Sequence, residues 1–435
     1  MGGLVLGLCL KKYASDVRFD IYESAAKLTE VGAGVALSPR IWTIMQELGL
    51  EEELVKVTGA VDRAGSDLLF RKGDEVKVID IVRFHQLHMF HRSMLQRILA
   101  EKLDATDRIH FSKRLTSYSE PTSPTEPIVL NFKDGTTATC DIVIGSDGIR
   151  SSVRRTMFAN LSDESERHGR IEEASRFRAM VEPIWSGHVT YRGLVPASDL
   201  SEEELRQFAS TPQILCGKDR HIVLYPVPGG ELVNVVSSVY TLGSGTVYDG
   251  PWVETTTSEK VAKLFEGFIP NGVALIKSMR EPLCWASHTV PKLTTYIKGR
   301  SALIGDAAHA MVPFQGAGLG QAIEDGFVLA NILAHSSVTS TNVSEALKIY
   351  DDVRRPFSQS VQQGSEWTGT LYQLRGAGWE DISVEDSLAG RYPPELLSDF
   401  EKDARAQMEW QYDPGASIKG DIAKVLSMLE TLSAQ

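Results

Sequence analysis

An apolar strand that delivers a carboxylate into a glycine-rich helix start is one way to hold a dinucleotide, and residues 301–321 have that form. Ser301-Ala302-Leu303-Ile304 reads as a buried strand ending in Gly305-Asp306, and Pro313-Phe314-Gln315-Gly316-Ala317-Gly318-Leu319-Gly320-Gln321 follows a short loop later. Asp306 at the strand end can accept hydrogen bonds from ribityl or ribose hydroxyls. The glycines let backbone approach a flat ring, with Gly318 and Leu319 beside it. A helix over 320–335 would then aim free N–H groups at electron-rich oxygens. The alternative is a strand-to-helix turn whose aspartate only caps the helix.

Two further stretches have related chemistry. In Cys140-Asp141-Ile142-Val143-Ile144-Gly145-Ser146-Asp147-Gly148-Ile149-Arg150-Ser151-Ser152-Val153-Arg154, a strand over 142–144 ends in small residues. Asp147 could hold neighbouring backbone groups, or Asp147-Gly148 could be only a tight turn. At the N-terminus, Gly2-Gly3-Leu4-Val5-Leu6-Gly7-Leu8-Cys9-Leu10 reads as an apolar helix leading to the strand Val17-Arg18-Phe19-Asp20-Ile21-Tyr22-Glu23. Glu23 lies about 20 residues after the glycines, the spacing of a carboxylate that grips an adenosine ribose in a Rossmann unit.

In this order the three stretches resemble those of the flavin-dependent aromatic hydroxylases, the p-hydroxybenzoate hydroxylase superfamily, and most closely its salicylate hydroxylase-like branch of fungal type. The resemblance covers nearly the whole chain. The second stretch is similar to the family's Asp-Gly motif, which implies that Asp147 could also hold pyridine-nucleotide groups. It implies an α/β fold: a Rossmann-like FAD-binding domain, truncated at its N-terminus, with an inserted β-sheet substrate domain and a helical C-terminal region. The expected parts are residues 1–168 and 286–360 for the FAD-binding domain, 169–285 for the substrate sheet and 361–435 for the helical region. It further implies that FAD is the cofactor, that NADH or NADPH and O2 are consumed, and that a phenolic or aromatic acid is hydroxylated through a flavin C4a-hydroperoxide. Decarboxylation or dearomatisation could accompany the step, as could a place in fungal secondary metabolism. No second Rossmann fingerprint for NAD(P)H is present, as the resemblance implies.

No strand precedes Gly2-Gly3, and only the tail of a Gly-x-Gly-x-x-Gly pattern is present. Either the sequence starts late, at an internal methionine, or an isoform lacks its central strand and part of the pyrophosphate loop. The first is favoured, because losing a central parallel strand exposes two neighbours as edges. A chain built that way is expected to bind FAD or fold poorly.

The elements that must position these groups are legible in part. Ile41, Ile44, Met45 and Leu48 recur at helical spacing over 40–55, with Gly49 as the stop. Before them Val31-Gly32-Ala33-Gly34-Val35-Ala36-Leu37-Ser38-Pro39 is a small-residue loop similar to the one that passes beside the flavin in the family, where Gly34 would permit close approach. A helix starts near His91-Arg92, and the family resemblance makes Arg92 a cationic partner for FAD; alternatively it faces solvent. Residues 170–285 change to short β-like runs at 188–194, 221–227 and 232–239.

Within those runs, Arg192 (in Tyr191-Arg192-Gly193) and Tyr225 (in Tyr225-Pro226) could carry substrate chemistry. Electrophilic hydroxylation favours an electron-rich ring, so a fixed guanidinium that stabilises a phenolate or carboxylate is useful. A tyrosine hydroxyl can donate to the same oxyanion. The resemblance to fungal phenol hydroxylases supports both roles; the alternatives are a structural salt bridge for Arg192 and a core tyrosine for Tyr225. His221 reads as structural. Phe314, where many relatives carry histidine, and Leu319, where a smaller residue is usual, imply a pocket of altered shape.

The chain has 435 residues, with 45 Lys plus Arg against 57 Asp plus Glu, a net charge of −12 that disfavours nucleic acid and anionic membranes as partners. No stretch is apolar over a membrane's width. The Gly2–Leu10 run lacks the basic flank of a signal peptide. Cys9, Cys140, Cys216 and Cys284 are scattered, which argues against a metal site or disulfide framework and suits a cytoplasmic protein. The remainder beyond Pro356, with Trp367, Trp379 and Trp410, is expected to be helical and to pack across the cleft or against a subunit. A non-hydroxylating FAD oxidoreductase and an inactive paralogue that acts only in binding are the rival readings. Composition does not indicate the oligomeric state.

Overall fold

The computed structural model describes residues 1–28, 34–58, 66–75, 79–104, 106–121, 123, 125–200, 202–227, 231–241, 243–411 and 416–433. Val31–Ala33 of the expected small-residue loop lie outside the described residues. The N-terminal apolar run is a helix, Gly2–Tyr13, buried from Leu4 to Leu10. The chain then forms β1 (Ile21–Tyr22), β2 (Gly34–Leu37), β3 (Ser66–Lys72), β4 (Ile79–His91) and β5 (Ile109–His110). An antiparallel sheet of β6 (Leu115–Ser119), β7 (Ile128–Phe132) and β8 (Thr137–Cys140) leads to β9 (Val143–Gly145). Next come β10 (Ile184–Pro196), β11 (Gln213–Gly217), β12 (Arg220–Pro226), β13 (Leu232–Tyr240), β14 (Val253–Thr255), β15 (Arg280–Thr289), β16 (Ile297–Lys298) and β17 (Ser301–Leu303).

Outside the large sheet and the β6–β8 sheet, the strands in the segments expected to bind the cofactor form two pieces, each with a parallel pair. β1 pairs with β5, and β17 pairs with β9 on one side and antiparallel β16 on the other. The free edges of β1 and β9 are paired with no strand among the described residues. Both pieces pack on one core, in which the Gly2–Tyr13 helix crosses the helix Gly318–Leu333. Gly326 makes that crossing close: a Cβ there would lie 3.2 Å from the Leu6 backbone nitrogen.

The large sheet has nine strands in the order β14-β15-β10-β13-β12-β11-β3-β4-β2. It therefore takes three strands from residues 34–91, before the 169–285 segment read as the substrate sheet. Gly34–Leu37, read as loop, is its edge strand β2, paired with β4. Alternation gives the sheet two faces. Ile222, Leu224, Val233 and Val235 point to one side, into a core closed by the helices Ser258–Leu264 and Pro270–Lys277. His221, Val223, Tyr225, Val236 and Ser238 point to the other, over the cofactor domain.

Two helices differ from expectation. The 40–55 segment is two helices, Pro39–Glu47 and Glu51–Thr58, because Gly49 adopts φ +68° between them. The Val343–Tyr372 helix runs unbroken through Pro356 and across the 360/361 boundary. Its buried face, including Tyr350, Val353 and Val361, packs along its whole length and outweighs the one backbone hydrogen bond that proline removes. Beyond it, Tyr372, Trp379, Phe400 and Met408 close a third core against Phe70, Phe84 and Ile214 of the sheet, so the C-terminal region does pack across the cleft.

Candidate active site

A cavity of about 430 Å³ lies between the Gly-Asp turn and the inner face of the large sheet. Its floor is Gly305, Asp306, Gly316, Gly318 and Leu319, its roof is Arg192, Ile214, His221, Val223, Tyr225 and Ser238, and Gly2, Gly34, Arg92 and Gly148 stand at its sides. Eight of the sequence-selected residues meet here: Gly2, Gly34, Arg92, Arg192, Tyr225, Asp306, Gly318 and Leu319. Gly3, Glu23 and Asp147 do not line it.

On the floor, Gly305 takes φ +60°, and the Asp306 side chain is exposed and makes no hydrogen bond among the described residues. The helix Gly318–Leu333 starts beside it with no side-chain cap, so its first N–H groups are open to a ligand. A Cβ on Gly316 would meet nothing within 4 Å, so this backbone faces open space. Arg92, exposed at the first turn of the helix Arg92–Leu103, also has no hydrogen-bond partner among the described residues. A free carboxylate, uncapped N–H groups and a free cation around one cavity suit FAD's ribityl hydroxyls, ring oxygens and phosphates respectively.

The remaining candidates are engaged by the protein itself. Asp147 accepts from Ser152 N at 2.7 Å, Val153 N at 3.2 Å and the Ser151 hydroxyl, so it caps the helix Ser152–Arg167. Gly148, at φ +78°, makes the turn that the alternative reading anticipated, and it also lines the cavity. Glu23 accepts from Ala25 N at 2.8 Å, fixing the turn after β1. Gly3 lets the first helix approach Ser146, whose Oγ would lie 2.9 Å from a Cβ there. Gly34 is required by Tyr225: a Cβ would lie 2.4 Å from its ring.

On the roof, Arg192 is half-buried, and its Nε is buried without a hydrogen-bond partner. Burial lowers its pKa; Tyr225 opposes that shift and Arg92 adds to it. An unpaired, partly desolvated guanidinium binds an oxyanion strongly. No carboxylate pairs with Arg192 among the described residues, so the salt-bridge alternative is not realised there. The Tyr225 hydroxyl donates to Gly34 O at 3.1 Å, and burial pushes its pKa up to about 12 despite Arg192. Its single proton is therefore committed to Gly34, and towards a cavity ligand the oxygen is an acceptor. Phe314 stands edge-on to His188 and His221, with centroids at 4.9 and 5.1 Å, and fills space that Gly369 leaves open. Burial pushes His221 down to about 3 and His188 to about 4, so both rings are neutral near pH 7.

Several supporting residues were not singled out from sequence. Arg154, fully buried, donates to Ala307 O at 2.9 Å and to Val181 O at 3.1 Å, tying the Asp147 loop to the Gly-Asp turn. Beneath that turn lie Arg40, His309, Glu324, Asp325 and Arg354, all buried. The signal for two of them was available: Glu324-Asp325 are the only acids in the apolar run 318–333.

The FAD binding domain family model matches residues 1–205 and 254–365. Salicylate hydroxylase of Pseudomonas putida is 32% identical over 436 residues, covering 96% of each chain. The chain belongs to the FAD-dependent aromatic monooxygenases of the p-hydroxybenzoate hydroxylase superfamily. The 6-methylsalicylate 1-monooxygenase of Aspergillus terreus is 32% identical over 83% of this chain and 78% of its own. A salicylate hydroxylase solved as a substrate complex superposes with TM-score 0.79 at 28% identity, covering 98% of this chain and 95% of that one. The mixed α/β fold, FAD-binding domain and helical C-terminal region are those of this family, and the protein is an FAD monooxygenase. No helix among the described residues is long and apolar enough to cross a membrane.

Proposed function

We propose that the enzyme consumes NADH or NADPH and O2 to hydroxylate a phenol or aromatic acid held in the 430 Å³ cavity. Arg192 is the substrate's anion partner. The observation that carries this reading is the unpaired, buried Nε of Arg192 on the cavity roof, opposite the Gly-Asp turn. Bound FAD supplies the redox chemistry that activates oxygen. The chain's own share is binding, charge and exclusion of water: Asp306, Arg92, Gly2, Gly34, Gly318 and Leu319 form the cofactor's surroundings, and Arg192 favours the anionic, electron-rich form of the ring. Glu23, Gly3 and Asp147 support the same cleft one step back, through the turn after β1, the first helix and the helix Ser152–Arg167.

The aromatic walls Phe314 and Tyr372 and the apolar Ile214, Val223 and Met408 suit a small ring. The names of the relatives support salicylate-like substrates, and those from fungi support a role in secondary metabolism. Free, scattered cysteines agree with a cytoplasmic setting. The test is a screen of phenols and aromatic acids for stimulated NAD(P)H consumption, with product and hydrogen peroxide quantified, on wild type and Arg192→Ala. The variant is expected to keep its flavin and release more peroxide per NAD(P)H. Unchanged coupling would remove Arg192 from the reaction, and consumption without any hydroxylated product across the screen would refute the hydroxylase reading.

A further inference from the structure

Under the Gly305-Asp306 turn, buried charges join four helices to the short helix Asp306–His309 without lining the cavity. Asp325 Oδ2 accepts from Gly305 N at 2.9 Å and lies 2.6 Å from His309 Nε2, while its Oδ1 accepts from Arg354 Nε at 2.9 Å. Arg354 also donates to Glu324 Oε2 at 2.7 Å and to Gln321 Oε1 at 2.7 Å. Arg40 completes the set with bonds to the two Glu324 oxygens at 2.6 and 3.0 Å. Asp421 Oδ2 stands 3.6 Å from Arg40 and 3.7 Å from Arg354. The helices joined are Pro39–Glu47, Gly318–Leu333, Val343–Tyr372 and Ala416–Ser433.

Such a network does not earn its place by stability alone, since a buried ion pair is often no better than packed hydrocarbon. Its geometry serves one backbone group. Gly305 sits at φ +60°, ψ −142°, with Ala322 Cβ 3.0 Å from where a side chain would begin, and its amide bonds to Asp325. The residue after it is Asp306, whose exposed carboxylate faces the cavity. We propose that Asp325 is a positioning residue that sets the Gly305-Asp306 turn for bound FAD without touching FAD, with Arg354 and His309 aiming its two oxygens. The proposal rests on the assignment of this turn to the cofactor.

Asparagine at 325 keeps the shape but has one acceptor oxygen. It can serve Arg354 or Gly305, and it turns an N–H against the other. FAD affinity, measured by fluorescence titration of apoprotein, is therefore expected to fall about tenfold in Asp325→Asn, the factor carried by one orphaned buried donor. His309→Gln, a milder change to the same oxygen, is expected to shift it in the same direction by a smaller factor, and it decides the matter if Asp325→Asn does not fold. Because the effect passes through Asp306, Asp325→Asn should add little to Asp306→Ala in the double variant. Native affinity in folded Asp325→Asn, or in His309→Gln where that variant must decide, would overturn the proposal. So would losses that simply add in the double variant, which mark a structural role. Native affinity in Asp306→Ala would instead refute the assignment of the turn itself.

Discussion

The two acidic strand ends of the cofactor domain, Asp306 after β17 and Glu23 after β1, look alike in sequence and differ in structure. β17 is fully buried and paired on both sides, and its turn is held from below by Asp325 and from the side by Arg154 through Ala307. β1 is two half-buried residues paired with β5 alone among the described residues, and Glu23 is occupied by the amide of Ala25. A carboxylate held on a rigid turn, with no hydrogen-bond partner among the described residues, is ready for a ligand. One that already caps its own loop must exchange one hydrogen bond for another, and gains less. Cofactor binding by these residues is therefore expected to depend chiefly on the Gly-Asp side.

The largest loss is expected from Gly305→Ala, which puts a side chain into positive φ and against Ala322. A cost of about 1–3 kcal/mol in strain should appear as a lower melting temperature and weaker FAD binding. Native values of both would mean that the turn is not rigid, and the contrast between the two sides would lose its basis.

Acid should act on the large sheet through two buried histidines. His188 and His221 have folded pKa values depressed to about 4 and about 3, so the unfolded chain takes up protons first as pH drops below about 6.5. Their contribution to stability is intact above that value and declines as pH falls towards 4 and 3. Melting temperature followed from pH 7 to 5 should decline less steeply in His221→Asn than in wild type. Parallel profiles would show that the ring is hydrated, contrary to its burial.

Tyr225→Phe deletes the bond to Gly34 O, worth about 0.5–1.5 kcal/mol, and should loosen β2 against β12 with modest loss of coupling between NAD(P)H oxidation and product. A loss as large as that in Arg192→Ala would place the phenol in direct contact with substrate. Glu23→Gln is expected to have the smallest effect, below about 0.5 kcal/mol in FAD affinity, since Gln keeps an acceptor for Ala25 N.

What could be read beforehand was what is local. The strand-Gly-Asp-helix run at 301–333 is contiguous, and the positions of β12 and β13 follow from alternation, so Tyr225 and His221 fell on one face by parity alone. Sequence left Asp306 open between a ligand group and a helix cap; among the described residues its carboxylate makes no hydrogen bond, whereas Asp147 caps a helix. Non-local features were not legible. β3 joins β11 in parallel, Gln213 against Leu69, across more than a hundred residues, and nothing in either segment announces its partner. Pro356 signals a break in isolation, yet packing of the flanking turns carries the helix through it. The Arg40–Glu324–Arg354–Asp325 set draws on three helices, and only the two adjacent acids in an apolar helix pointed to it.

The most direct test is FAD dissociation constants for apoprotein of wild type, Asp306→Ala and Glu23→Gln, measured side by side at one pH and salt. Loss of buried-site hydrogen bonds to the cofactor in Asp306→Ala should cost about 1–3 kcal/mol, a weakening of roughly five- to 150-fold, with Glu23→Gln within about twofold of wild type. Equal losses in the two variants, or a larger loss in Glu23→Gln, would contradict the account that the Gly-Asp side dominates.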